Sequence, residues 1–172
     1  MINKLIIFIA IAGLISISSV FADENIKSLV LKDGNGKDCD VVKESFKQPI
    51  ILVRYLGATC SKCLHQLNIL NSLTDKLKEN NTKVIGFSND DAQQNKKILQ
   101  QAKYENSAVN LFSDNDSKAS TKLGATIVEL TGEKTELHAT FLIYKGEILF
   151  SNIDAKPYMF VNNLFEIIAS LK

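Results

Sequence analysis

Two cysteines separated by two residues are the part of this sequence best suited to chemistry. Cys60 and Cys63 lie in the stretch RYLGATCSKCLHQL, at the start of a segment with helical leucine spacing. A cysteine at a helix N-terminus faces unpaired backbone N–H groups and the positive end of the helix dipole, which both favour the thiolate. Cys63 follows one turn later on the same side, within reach of Cys60. We therefore predict thiol redox chemistry at this pair.

Two other uses of the cysteine pair are less well supported. A zinc site needs two more ligands, and the candidates, Cys39, His65, His138 and acidic residues, form no second Cys-x-x-Cys and no His-x-x-x-His motif. A purely structural disulfide would close a loop so short that it restricts the unfolded chain little. We predict no metal ligands and no cofactor.

The first residues have the pattern of a secretory signal peptide. A basic start precedes an apolar run from Leu5 to Val20, and Val20 and Ala22 occupy the small-residue positions before a cleavage site. We expect a signal peptide at residues 1–22, a mature chain at 23–172, and a periplasmic or secreted location. The apolar run is shorter than a spanning helix requires, so we expect membrane attachment only if the signal stays uncleaved.

The charge balance excludes a nucleic-acid partner on electrostatic grounds. The chain has 20 basic and 19 acidic residues, and removal of the signal takes away only Lys4. The remaining lysines are scattered along the chain without a cluster. A phosphate backbone would therefore find no basic surface to bind.

Hydrophobic patterns predict a single α/β domain with a mixed central sheet. A strand at 26–31 precedes the turn sequence Asp-Gly-Asn-Gly at 33–36, which predicts an N-terminal β-hairpin. The apolar run at 50–56 predicts a central strand that is buried on both faces. The further predicted elements are a leucine-faced helix at 64–77, strands at 84–87, 109–112, 139–144 and 147–150, and helices at 90–104, 116–123 and 158–171. Their alternation favours a partly parallel sheet with helices on its faces, while segment 124–136 has no clear pattern.

Four motifs in this order of elements resemble those of the thioredoxin-fold redoxins. They are ILVRYLGATCSKCLHQL, VIGFSNDD, NLFSDNDSKASTKLGA and HATFLI, and they are similar to motifs of the peroxiredoxin-like AhpC/TSA family. The resemblance covers roughly residues 26–172 and implies a thioredoxin-like α/β fold. It also implies that Cys60 is the attacking, peroxidatic cysteine, that Cys63 resolves it, and that an external dithiol supplies electrons.

The sequence departs from this family around the cysteines. Gly57 stands where the peroxidatic pattern has a threonine, so the hydroxyl that helps to position a peroxide is missing or comes from Thr59. Ala139 stands where thioredoxins have a cis-proline. His138 replaces an arginine that often stabilises the thiolate in peroxiredoxins, and a protonated histidine could supply that cation.

Four further residues have expected places. Arg54 interrupts an apolar strand and is costly to bury unless it is paired. We expect it to reach solvent past the sheet; the alternatives are a carboxylate partner or a role in stabilising the thiolate. Tyr55 is expected in the core, His65 on the surface, and Cys39 as an inert thiol.

Three functions are compatible with these observations. A thiol peroxidase would use a peroxide substrate, a thiol-disulfide oxidoreductase would use a protein-disulfide substrate, and a redox-silent binding module would use the fold as a scaffold. The Ala-Thr-Phe step without proline favours the peroxidase, which we take as the leading hypothesis. The Cys-x-x-Cys motif and the export signal favour the oxidoreductase. Fold analogy gives neither the electron donor nor the oligomeric state.

Overall fold

A seven-stranded mixed sheet forms the centre of the molecule. The computed structural model describes residues 26–101, 107–153 and 160–171, so the predicted signal peptide and the ends of two predicted helices lie outside the described residues. The strands are β1 (Val30–Lys32), β2 (Asp38–Asp40), β3 (Ile50–Arg54), β4 (Lys83–Ser88), β5 (Val109–Ser113), β6 (Thr126–Val128), β7 (Lys134–Glu136), β8 (Ala139–Tyr144) and β9 (Glu147–Ile153). The helices are α1 (Val41–Ser45), α2 (Ser61–Ser72), α3 (Thr74–Glu79), α4 (Ala92–Gln101), α5 (Lys118–Lys122) and α6 (Val161–Ser170).

The strand order is β2-β1-β5-β4-β3-β8-β9, and β6 and β7 form a separate two-stranded sheet. Strands β3, β4 and β5 run parallel, whereas β8 is antiparallel to β3 and β1 is antiparallel to β5. Since parallel strands end at the same edge of a sheet, the loops after β3 and β4 are neighbours. The predicted thioredoxin-like α/β fold with a mixed sheet is confirmed.

The predicted N-terminal hairpin is also confirmed. Strands β1 and β2 pair antiparallel across the turn at 33–36. The Asp33 carboxylate accepts the N–H groups of Asn35 and Lys37, each at 2.9 Å, and Gly36 takes a φ of 77°. Asp33 and Gly36 therefore stabilise this turn, because the aspartate accepts the backbone N–H groups and the glycine tolerates the positive φ.

Strand β3 is buried on both faces, as its apolar sequence predicts. Ile51 and Val53 pack on one face against a core that α2, α3, α4 and α6 cover, while Ile50 and Leu52 pack on the other beneath α1 and α5. Each fully buried aliphatic side chain contributes about 1.5–3 kcal/mol to stability. The loop that follows β3 therefore starts from a rigid strand.

The leucine-faced helix differs from its prediction because it is divided in two. Helix α2 ends at Ser72 and α3 begins at Thr74. The hydroxyl groups of these two residues donate to the carbonyl oxygens of Ile69 and Asn71, at 2.7 and 2.6 Å. Such local bonds compete with helical ones, which explains the break between them.

Three short elements, α1, β6 and β7, were not predicted. Helix α1 begins where the Asp40 carboxylate accepts the Val42 N–H at 3.1 Å, which is a helix cap. The patternless segment 124–136 contains the small β6–β7 hairpin, whose residues are mostly exposed. An exposed hairpin gives no alternation of buried and exposed side chains, so its sequence carries little signal.

Candidate active site

The predicted redox pair lies at the first turn of α2 and forms a disulfide. Cys60 is the N-cap residue of this helix, and its Sγ accepts the backbone N–H of Cys63 at 3.3 Å. The two Sγ atoms are bonded at 2.00 Å, and the two Cα atoms are 5.3 Å apart. A helix N-terminus thus points an N–H group at the sulfur of Cys60, as the sequence predicts.

The two sulfurs have different access to solvent. Cys60 is half-buried, whereas Cys63 has an exposed fraction of 0%. The Cys63 Sγ also accepts the backbone N–H of Leu56 at 3.4 Å, which fixes it on the inner side of the loop. A molecule that arrives from solvent therefore meets Cys60, and Cys63 can react only with its neighbour.

Hydrogen bonds to β4 and to α4 hold the start of the loop between β3 and α2. The Tyr55 N–H donates to the Phe87 carbonyl at 3.0 Å, and the Tyr55 hydroxyl donates to the Asn95 side-chain oxygen. Burial raises the pKa of Tyr55 far above its ordinary value, so the hydroxyl stays protonated as a donor. Gly57 then takes a φ of +90°, and its carbonyl accepts the Cys60 N–H at 3.1 Å. The predicted core position of Tyr55 is confirmed.

The expectation that Arg54 reaches solvent is wrong, because its exposed fraction is 1%. Side chains alternate along β3, so Arg54 points to the same face as Leu52, which helix α5 covers. There its guanidinium forms a 2.9 Å salt bridge with Glu136. It also donates to Ser120 at 2.8 Å, to Asn89 at 2.9 Å and to the Tyr55 carbonyl. The carboxylate partner considered for Arg54 is therefore present, and the described contacts of Arg54 go to this network and not to either sulfur.

Glu136 connects Arg54 to the β6–β7 hairpin. Its carboxylate accepts hydroxyl hydrogen bonds from Ser117 at 2.6 Å and from Thr126 at 2.9 Å. Burial raises the pKa of Glu136, but the hydrogen bonds from Ser117, Thr126 and Arg54 outweigh it and leave the pKa below its ordinary value. We refer to Arg54, Glu136 and their partners Asn89, Ser117, Ser120 and Thr126 as the arginine network.

The other expected auxiliary residues lie at the same edge of the sheet. Thr59 is exposed in the loop directly before Cys60. His138 is buried and directly precedes β8, whose first residue pairs with Arg54 of β3. Next to it, the Thr140 hydroxyl accepts a hydrogen bond from the α2 side chain of Gln66 at 2.9 Å, which ties β8 to the cysteine helix. The roles of Thr59 and His138 in the reaction stay predictions.

His65 and Cys39 are not expected to take part in the disulfide chemistry. His65 is exposed on α2, as expected. Cys39 is a free, half-buried cysteine in β2, and burial raises the pKa of its thiol, as an inert thiol requires. Within the described residues, no three His, Cys, Asp or Glu side chains are grouped to hold a metal ion. The same part of the chain has no helix of the length and apolarity needed to cross a membrane.

Comparison with known proteins assigns the chain to a family. The sequence model of the AhpC/TSA family matches residues 22–150, so the chain belongs to the AhpC/TSA family of thiol oxidoreductases. No match was found among curated protein sequences.

Several solved peroxiredoxins have a similar fold. Peroxidoxin BcpB from Mycobacterium tuberculosis is 16% identical with a TM-score of 0.74, over 86% of this chain and 95% of that chain. Peroxiredoxin Q from Xanthomonas campestris is 16% identical with a TM-score of 0.67, over 83% of this chain and 89% of that one. Reduced Prx3 from Vibrio vulnificus, solved in complex with H2O2, is 20% identical with a TM-score of 0.66, over 84% and 94%. These likenesses establish the thioredoxin-like fold.

Asp90 is a candidate site residue that the sequence did not indicate. Its carboxylate accepts the Ala58 N–H at 3.1 Å, in the loop that leads to Cys60. The sequence signal that points to Asp90 is Gly57, because a glycine directly before Ala58 leaves room for a neighbouring carboxylate.

Proposed function

We propose that this chain is an exported, peroxiredoxin-like thiol peroxidase in which Cys60 attacks the peroxide and Cys63 resolves the product. The observation that carries the assignment of roles is the unequal access of the two sulfurs, since Cys60 is half-buried and Cys63 is fully buried. The family membership supports the peroxide substrate. The apolar run before Ala22 supports export, and a mature N-terminus at Asp23 in protein from the producing cell would test it.

The proposed reaction has three steps. The Cys60 thiolate attacks one oxygen of the peroxide, the O–O bond breaks, and the departing oxygen takes up a proton, so the products are a sulfenic acid and an alcohol or water. The Cys63 thiol then attacks the Cys60 sulfur, which forms the disulfide and releases water. An external dithiol finally reduces this disulfide and is itself oxidised. The 5.3 Å between the Cα atoms allows the disulfide to form with α2 still helical from Ser61.

Backbone donors at the helix N-terminus can assist the first step. The Cys63 N–H already points at the Cys60 sulfur, at 3.3 Å. In the described structure, the N–H groups of Ser61 and Lys62 on the same turn donate to no protein acceptor. Donors that face the departing oxygen stabilise its developing charge, so these two groups, with Thr59 and His138, are the candidates for that role.

Two observations favour a second candidate, a thiol-disulfide oxidoreductase. Gly57 supplies no hydroxyl for a peroxide, while the apolar Leu56 beside the disulfide is 42% exposed. An apolar rim suits a protein substrate, which Cys60 would attack to form a mixed disulfide that Cys63 then releases. A redox-silent module is the third outcome, if the pair does neither reaction.

The test compares reduced wild type, Cys60→Ser and Cys63→Ser in two reactions. With hydrogen peroxide, we expect Cys63→Ser to consume about one equivalent and to stop at a sulfenic acid that dimedone traps, while Cys60→Ser reacts hardly faster than a small-molecule thiol. The second reaction uses a disulfide-bonded protein. A Cys63→Ser variant that reacts slowly with peroxide but accumulates a mixed disulfide would replace the peroxidase with the oxidoreductase.

A further inference from the structure

The loop that carries Cys60 is held by a residue from the neighbouring strand. Asp90 follows β4, which pairs with β3 in parallel, so both strands deliver their next residues to one edge of the sheet. There the Asp90 carboxylate accepts the Ala58 N–H at 3.1 Å. Its own backbone N–H donates to the Ser88 hydroxyl at 3.1 Å, which fixes the residue that holds the loop.

The narrow space at Gly57 shows that the loop and the Asp90 carboxylate fit closely. A Cβ atom added at Gly57 would lie 3.1 Å from one Asp90 carboxylate oxygen and 3.3 Å from the other. Gly57 also has a φ of +90°, a backbone conformation that residues other than glycine rarely adopt. A larger residue at this position would both strain the backbone and displace the carboxylate.

The hydrogen bond between Asp90 and Ala58 acts on Cys60 through the backbone. The Gly57 carbonyl accepts the Cys60 N–H at 3.1 Å, so the turn that Asp90 holds also sets the position of Cys60. Cys63 is held by α2 and by the hydrogen bond from the Leu56 N–H. Cys60 is the N-cap residue of the same helix, so its position depends both on α2 and on the turn that Asp90 holds.

We propose that Asp90 is a positioning residue for the redox pair, because its carboxylate clamps the Gly57–Ala58 turn and holds Cys60 within bonding reach of Cys63. Groups held in the geometry of their reaction have a high effective concentration, and loss of the clamp lowers it. The proposal requires only that Cys60 and Cys63 form a reversible disulfide. It therefore applies to the peroxidase and to the oxidoreductase alike.

The test measures the equilibrium of the protein with glutathione. Glutathione disulfide oxidises the two thiols to the Cys60–Cys63 disulfide and is reduced to two molecules of glutathione. We expect Asp90→Ala to lower this equilibrium constant at least about fivefold, since one hydrogen bond to the loop is lost. Asp90→Asn keeps an oxygen that can accept the Ala58 N–H, so it should stay within about twofold of wild type.

Two matched controls separate the clamp from general stability. Asp91 is exposed and its carboxylate accepts the Gln94 N–H at 2.8 Å, so Asp91→Ala removes a similar bond at the start of α4. Gly57→Ala should lower the constant as Asp90→Ala does, while Gly124→Ala has a comparable positive φ, +69°, but no atom within 4 Å of the added Cβ. We expect Asp91→Ala and Gly124→Ala to leave the glutathione equilibrium unchanged.

Three results would overturn the clamp: an unchanged constant in Asp90→Ala and Gly57→Ala, an equal loss in Asp91→Ala, or an Asp90→Asn variant as impaired as Asp90→Ala. No peroxide enters this equilibrium. A failure of the clamp is therefore distinguishable from a failure of the peroxidase, which the peroxide reaction of Cys63→Ser decides separately.

Discussion

The disulfide loop and the arginine network both begin at the end of β3, on opposite faces of the sheet. In the loop, Cys60 is half-buried and Gly57 has a positive φ. In the network, Arg54 is 1% exposed and its guanidinium donates to side-chain and backbone acceptors. A buried polar group whose hydrogen bonds are satisfied has a structural role, whereas a partly exposed one can meet a substrate.

The comparison also separates two uses of charge near the cysteines. A guanidinium on the sulfur side would stabilise a thiolate directly, but the described contacts of Arg54 join β3 to Glu136 and to α5. The backbone N–H of Cys63 takes the place beside the Cys60 sulfur. We therefore predict that the helix N-terminus, and not Arg54, is the main support of the thiolate.

The largest expected effect is the loss of stability on breaking the arginine network. Arg54→Ala leaves the Glu136 carboxylate, whose side chain is 18% exposed, without its cation, and should lower the free energy of unfolding by about 3–5 kcal/mol. Urea denaturation measures the change. As a control, Lys32→Ala breaks the exposed pair with Asp38 and should cost less than about 1 kcal/mol. Equal losses in the two variants would contradict the structural role of the network.

A paired replacement sharpens the comparison between the two regions. Arg54→Met combined with Glu136→Leu removes both charges together, which often costs little stability because no ion is left unpaired. If the network is structural, the alkylation rate of Cys60 in this folded double variant should stay within about threefold of wild type, since the helix N-terminus is unchanged. A loss of about tenfold or more would show that the guanidinium acts on the thiolate.

The smallest expected effect is on acid stability. The pKa of Glu136 lies below its ordinary value in the folded protein, so Glu136 contributes stability above the unfolded pKa of about 4.3. That contribution is lost as the pH falls through the lower, folded value. The difference in unfolding free energy between wild type and Glu136→Gln should be constant from about pH 7 to pH 5 and shrink at lower pH. A difference that grows on acidification would mean that the shift has the opposite sign.

Local patterns predicted the parts of the site that depend on neighbouring residues. The spacing of Cys60 and Cys63 at a helix start was enough to predict that the two sulfurs can bond, and the turn at 33–36 was enough to predict the hairpin. The partner of Arg54 was not predictable, because Glu136 lies far along the chain in a segment without periodicity. Asp90 was missed because only the parallel pairing of β3 and β4 brings it to the loop.

The division of labour between the two cysteines is the central claim, and timed alkylation of the reduced wild type near neutral pH tests it most directly. Mass spectrometry of each cysteine peptide gives the three rates without any substitution. We predict that Cys60 is labelled first, because it is half-buried at a helix N-terminus, that Cys39 follows slowly, and that Cys63 is protected by its full burial. Preferential labelling of Cys63 would exchange the two roles, and equal labelling of all three cysteines would contradict the geometry of the site.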